Sequence, residues 1–569
     1  MLRFNMKYSP RRGYWTLIIV IFFGILAGKG LVGSGYFNMH DDLQMMRQLE
    51  MEKCFLDGQI PCRWVPDMGY GFGYPLFNFY PPLPYLVGQG IRLIGYSFVD
   101  TVKVLFVLSF VVSGLTMYFL AREFFGRFGG VVSAVFYVWA PYHAVDVYVR
   151  GAMNEAWALM WFPLIFLASY KLFFADKKSV VTWVVTLTLS WFALFTSHNL
   201  MVIVFSPFFA IWCLIWLLYS KNYPRVISLV ISGVWSFCLA AFFTLPVIFE
   251  KGMVQTDTLI VGYYEYTAHF ASIGQLLFSR FWGYGPSVWM TQDDRMSFQV
   301  GWIHWILSLV ILVLLFVRFV RSRKPTPPMI AVVYLICVGW LAAFIAHPRS
   351  TPLWGLVNQL KFVQFPWRFL TIVIFGFSFA AGSIISLLRN KVLGVLLIML
   401  VLLYSWNYFV PEYGKLGPLT DEEKFSDAAW ELQQTAGIYD YLPNTAKTAP
   451  KAPRGEIVDF IKGEGSILSI VEGTNWAKVK LVVKKDALLR INIMDFPNWR
   501  VFLDDNEIVK FIPETEEWGR MYVQIPSGDH VLYAKLYNTP VRIIGNLISL
   551  FSWIILISFL YRWQKGFLR

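Results

Sequence analysis

Two adjacent carboxylates, Asp41 and Asp42, follow His40 directly behind the first long apolar run of the chain. Carboxylates are costly at the edge of hydrocarbon, so a pair at this depth marks a candidate functional site. The chemistry it suits is general-base catalysis, with one ionised aspartate drawing the proton from an attacking hydroxyl. A second reading stays open beside it. Asp41, with Gln44 three residues on, matches a capping box that would start a helix over about 42–56. Capping alone has no need of a second acid, and the two roles are compatible.

Further ionisable residues fall in segments that the same reading places on one side of the membrane: Asp146, Arg150, Glu155, Asp293, Asp294 and Arg368, with His143, His198 and His269. Arg368 carries a planar, permanently charged fork suited to a phosphate, and Arg150 is a second candidate for the same contact. A phosphate that gains charge as it leaves would bind such an arginine more tightly in the transition state. The competing reading of Arg368 is an interfacial anchor beside Trp367 as an aromatic-belt residue. For Arg150 and Glu155 it is an ion pair bracing a loop. His40, His198, His269 and Asp293 are candidate substrate or metal contacts. No HExxH or CxxC spacing, P-loop or GxGxxG is present. The sequence therefore requires no cofactor, and it leaves room for a divalent cation such as Mg or Mn.

These residues must be positioned by a membrane protein. Of 569 residues, 57% are hydrophobic and only 15% charged, with a mean hydropathy of +0.53; a soluble globular domain is excluded. Apolar runs are expected as spans near 14–32, 101–121, 128–145, 156–174, 179–197, 199–219, 226–249, 299–317, 328–346, 369–388, 392–410 and 541–560, about twelve helices. No small-x-small cleavage site follows the first, so it is kept as an anchor. A proline-led helix after Tyr80-Pro81-Pro82 is too short to span and is placed at the interface. The net charge of +13 gathers in every second connection, which is a topology signature and not a nucleic-acid surface. It puts both termini in the cytoplasm and the acids outside, in a cytoplasmic membrane. Cys213, Cys238 and Cys337 fall in apolar runs as packing residues; Cys54 and Cys62 either pair or stay free. From 411 to 540 the period switches to two, over Lys478–Val483 and Leu488–Ile493, with turns at Asp504-Asp505-Asn506 and Pro526-Ser527-Gly528-Asp529. The fold class is a polytopic α-helical membrane protein with an external β-sandwich before its last helix. The domains expected are 1–410, 411–540 and 541–569.

Several segments carry a resemblance: the acid pair itself, Tyr80-Pro81-Pro82-Leu83-Pro84-Tyr85, Arg150-Gly151-Ala152-Met153-Asn154-Glu155, Trp282-Gly283-Tyr284-Gly285, Phe365-Pro366-Trp367-Arg368 and the Pro526-Ser527-Gly528 turn. Together they resemble the GT-C superfamily of integral-membrane glycosyltransferases. Nearer still, they resemble bacterial YfhO-like proteins and the membrane family named "6-pyruvoyl-tetrahydropterin synthase related". The resemblance implies a sugar donor linked to polyprenyl phosphate and an acceptor that is an envelope glycan, lipid or polymer. It implies inversion with Asp41 or Asp42 as base, Arg368 on the lipid phosphate, and Glu155 assisting. The expected partners are that donor, the acceptor and membrane lipids, with no nucleic acid. A transporter or flippase of a lipid-linked saccharide, and a non-catalytic envelope scaffold, are the alternatives.

Overall fold

The structure, a computed structural model, describes residues 14–287, 294–413 and 419–567. Among these, nine helices are long and apolar enough to cross a membrane, or ten if one bent pair is counted as a single span. The chain is a multi-pass membrane protein. One of the nine, Phe98–Val138, breaks at Gly126, whose φ of 76° and ψ of −179° a residue with a Cβ would resist. A straight helix would hold Gly114 and Val138 about 36 Å apart. Instead a Cβ on Gly114 would stand 3.1 Å from Val138, and one on Gly130 3.0 Å from Tyr118. The segment is an antiparallel hairpin, matching the two spans read at 101–121 and 128–145.

Two spans differ from the sequence reading. The first helix, described from Tyr14, ends at Ala27 and not near 32; Gly28 and Gly30 follow, and Lys29 turns to the Trp406 carbonyl at 3.1 Å. The span read as continuous over 226–249 is Arg225–Leu239 and Ala241–Phe249, bent by 81°. The bend is stabilised by the last helix: Ser549 Oγ accepts the Phe242 N–H at 2.8 Å, and Gly545 lies against the Ala241 carbonyl. A side-chain hydroxyl thus replaces the helical bond that the bend removes.

The chain divides into two compact units. The first comprises Met1–Asp41, Lys103–Gly233 and Tyr263–Pro418. Its core is aromatic and tightly stacked, as at Phe162 and Phe205 with ring centroids 4.3 Å apart.

The second unit comprises Asp42–Val102, Val234–Gly262 and Leu419–Arg569. It contains the proline-led helix Leu83–Leu93, at 11 residues too short to cross a bilayer, and a disulfide joining Cys54 to Cys62. Its six strands are β1 (Val458–Glu472), β2 (Trp476–Met494), β3 (Trp499–Leu503), β4 (Asn506–Ile508), β5 (Arg520–Ile525) and β6 (Gly528–Leu536). They run in the order β1-β2-β6-β3-β4, with β5 also on β2. Both alternating runs seen in the sequence lie on β2, which pairs with β6 through 476–483 and with β5 through 487–494. The strands form one antiparallel sheet whose long strand changes partner midway. Asp504 and Asp505 both take positive φ, 48° and 68°, the two-residue turn that suits the twist of a hairpin. A buried network also ties this unit: Glu250 accepts from Arg542 Nε at 2.8 Å and Asn78 Nδ2 at 2.9 Å.

Of the cysteines read as packing residues, Cys213 is buried, Cys238 is half-buried and Cys337 is exposed.

Candidate functional site

The first unit brings four of the charged residues into one buried cluster. Pro141–Ala144 is a short helix that widens into a π-turn over Val145–Val149, an irregularity often found at functional sites. The turn sets Asp146 and Arg150 on one side, and they form an ion pair. Glu155, in the first turn of Met153–Phe174, pairs with Arg150 Nη2 at 2.8 Å and with Arg368 Nε at 3.2 Å. Its other oxygen accepts the Tyr142 hydroxyl at 2.8 Å. Asp146 and Glu155 are 0% and 1% exposed, so two cations balance two carboxylates out of reach of water.

Neighbouring loops hold this cluster in place. Arg368 reaches back to the Val363 carbonyl at 2.8 Å and Gln364 Oε1 at 3.1 Å. Trp367 is buried, with its ring 4.5 Å beneath the Arg150 guanidinium. It therefore works as a cation–π partner and not as the aromatic-belt residue of the sequence reading. Nor does Arg368 snorkel outward; its fork is turned onto Glu155. Trp367 Nε1 donates to Ser287 Oγ at 3.1 Å, and the Ser287 hydroxyl donates to His269 Nδ1 at 2.9 Å. The His269 ring stands against Phe365 at 4.6 Å.

Asn154 donates to the Ser197 carbonyl at 2.8 Å, which brings His198 beside the same cluster. Burial, and then the Arg368 charge, push His198 down to about 3. An unfolded histidine titrates near ~6.5, so between these values the unfolded chain binds the extra proton. The contribution of His198 to stability is complete above pH ~6.5 and is lost as pH falls toward 3. We expect His198→Gln to lose less thermal stability than wild type on moving from pH 7.5 to 4.5. Equal losses in detergent melting curves would show that His198 is already protonated or solvated in the fold.

The acid pair is divided. His40 N–H bonds the Val149 carbonyl at 3.0 Å and Asp41 N–H the Arg150 carbonyl at 2.9 Å. Met39 lies on Gly151, where a Cβ would come within 2.2 Å of its sulfur. Only a glycine, here with φ 60°, lets the two segments approach so closely. Asp41 is thereby laid along the backbone of Arg150. Asp42 belongs to the second unit and pairs with Lys424, which is only 4% exposed. The helix that follows starts at Gln44, with Leu43 at the cap position and no side-chain cap bond. The helix begins two residues later than read.

His40 Nε2 donates to the Tyr284 carbonyl at 2.9 Å. From Tyr284 the chain runs back through Trp282, stacked on Tyr408 at 4.5 Å, to Arg280. Sequence reasoning passed over Arg280. It sits over the Tyr404 and Trp302 rings at 4.8 and 5.7 Å and makes no ion pair among the described residues. Arg280 closes one end of a groove of about 560 Å³, otherwise lined by apolar and aromatic residues of Trp302–Ser322 and Lys391–Ser405, including Ile306, Val310, Leu397 and Leu403. Asp293 lies outside the described residues, and Asp294 accepts from Gln275. Among the described residues, no three His, Cys, Asp or Glu side chains gather as a metal-binding group.

No family model matches the chain. An uncharacterised protein of Lactococcus lactis subsp. cremoris (strain MG1363) is 24% identical over 242 residues, covering 41% of this chain and 39% of that protein. Among solved structures, the arabinofuranosyltransferase AftD from Mycobacteria is similar at 14% identity and a TM-score of 0.42, over 70% of this chain and 27% of AftD. The Archaeoglobus fulgidus oligosaccharyltransferase, tethered with an acceptor peptide, is similar at 13% and 0.42, over 79% of this chain and 61% of that one. ArnT from Cupriavidus metallidurans bound to undecaprenyl phosphate is similar at 14% and 0.37, over 68% and 63%. The chain thus spans about two fifths of the Lactococcus protein and about a quarter of AftD. Likeness at these TM-scores is partial and decides nothing about activity.

Proposed function

We propose that this protein is a membrane glycosyltransferase that moves a sugar from a polyprenyl-phosphate donor to an acceptor hydroxyl at the membrane edge. One observation carries the reading. The apolar groove ends at Arg280, and Arg280 is four residue steps, at most about 14 Å, from the Tyr284 carbonyl that holds His40 beside Asp41. A lipid phosphate with its isoprenoid chain in that groove would place its head between a cation and a carboxylate. Arg280, rather than Arg368 or Arg150, is the phosphate contact in this reading, because Glu155 already engages both of the others.

In the reaction, the acceptor oxygen attacks the anomeric carbon as its proton passes to Asp41. The bond from that carbon to the phosphate oxygen breaks, and the phosphate leaves with the electron pair. Arg280 meets the charge that the phosphate gains, which lowers the barrier only if the contact strengthens in the transition state. Attack opposite the leaving group inverts the anomeric centre. The buried cluster of Asp146, Arg150, Glu155 and Arg368 holds the backbone on which Asp41 is laid.

The test is transfer from a synthetic polyprenyl-phosphate sugar by purified protein. Arg280→Gln should lower kcat/KM by about ten- to a hundredfold, the worth of one charged hydrogen bond, with Arg280→Lys intermediate. Unchanged kcat/KM in Arg280→Gln would remove Arg280 from the donor site.

A further inference from the structure

At the opposite end of the helix that forms the groove, Trp302–Ser322, a second cavity of about 370 Å³ is lined by Leu314, Val317, Arg318, Arg321, Ser322 and two residues of the neighbouring helix, Leu387 and Leu388. Positions 314, 317, 318 and 321 share one helix face. That face is apolar toward the middle of the span and doubly cationic at its end, which is the polarity of an amphiphile lying along it.

The charge around this cavity is unopposed. No Asp or Glu occurs between Asp294 and Glu412. Six cations stand at the two helix ends, Arg318, Arg321, Arg323, Lys324, Arg389 and Lys391, and none makes an ion pair among the described residues. A preference for basic connections explains cations in the loops. It does not explain a cavity walled by leucines with two arginines three residues apart facing into it. Basic pockets between membrane helices suit anionic lipid head groups, and Arg forks suit phosphate in particular.

We infer that this cavity binds an anionic phospholipid, its phosphate held by Arg318 and Arg321 and the start of one acyl chain laid on Leu314, Val317, Leu387 and Leu388. The site is separate from the donor groove and independent of the activity proposed above.

The full chain, delipidated in detergent and offered phosphatidylglycerol or phosphatidylethanolamine, tests this by native mass spectrometry. Wild type should retain phosphatidylglycerol in preference. Arg318→Gln with Arg321→Gln should reduce that retention about tenfold or more, the loss expected when two basic residues leave an anionic head group. Arg323→Gln with Lys324→Gln removes equal charge outside the cavity and should retain the lipid. Val317→Trp fills the cavity without changing charge and should lose it. Equal loss in both charge pairs, no effect of Val317→Trp, or no preference in wild type would each overturn the site.

Discussion

Glu155→Gln should destabilise the protein by about 3–5 kcal/mol, the usual cost of removing one partner from a buried ion pair. Glu155 is the one carboxylate shared by Arg150 at 2.8 Å and Arg368 at 3.2 Å. Without its charge, only Asp146, paired with Arg150, remains to balance the two guanidinium groups, and the largely buried cluster carries a net positive charge. The hydrogen bond from Tyr142 survives in glutamine, so the loss reads charge and not shape. Removing one cation as well, in Glu155→Gln with Arg368→Met, restores the balance and should recover more than half of the lost stability. Thermal unfolding in detergent checks both. If Glu155→Gln melts with wild type while transfer collapses, Glu155 acts on the reacting groups and not as the tie of the cluster.

Much of this arrangement is legible in the sequence, and the rest fails for identifiable reasons. Long apolar runs give the multi-pass helical architecture, because each is a local property. The bend between Leu239 and Ala241 is not local: Ser549, some three hundred residues on, satisfies the Phe242 N–H that the bend frees. At the candidate site, the residue types point to Arg150, Glu155 and Arg368, and one reading pairs Arg150 with Glu155, as the fold does; that Asp146 and Arg368 join the same pair does not follow from spacing. Tyr142 reads as one more aromatic in an apolar run until the π-turn after it brings Asp146 and Arg150 to the same side. Trp367 looks like a belt residue because proline and arginine flank it, whereas the 263–287 segment covers it through Ser287. Arg280 carries no signal in the sequence, since a groove between helices nearly a hundred residues apart leaves no trace in either.

Asp41→Asn should reduce sugar transfer by about 10²–10⁴-fold, the usual share of a general base, while leaving the melting temperature near wild type. Asp42→Asn should do the reverse. Its carboxylate pairs with Lys424, whose side chain is 4% exposed, and the asparagine would take that carboxylate's charge away from a buried ammonium. A cost of about 3–5 kcal/mol follows if the site stays closed to water, and it should fall on stability, with transfer by the surviving folded protein largely retained. The contrast matters because adjacent aspartates are interchangeable by sequence and are not interchangeable here. Asp41 hangs from the backbone of Arg150, and Asp42 is committed to a lysine 382 positions away. Measuring kcat and thermal unfolding on both variants separates the roles. Loss of transfer in Asp42→Asn with full stability would exchange them, and full transfer in Asp41→Asn would remove the base from the proposed reaction.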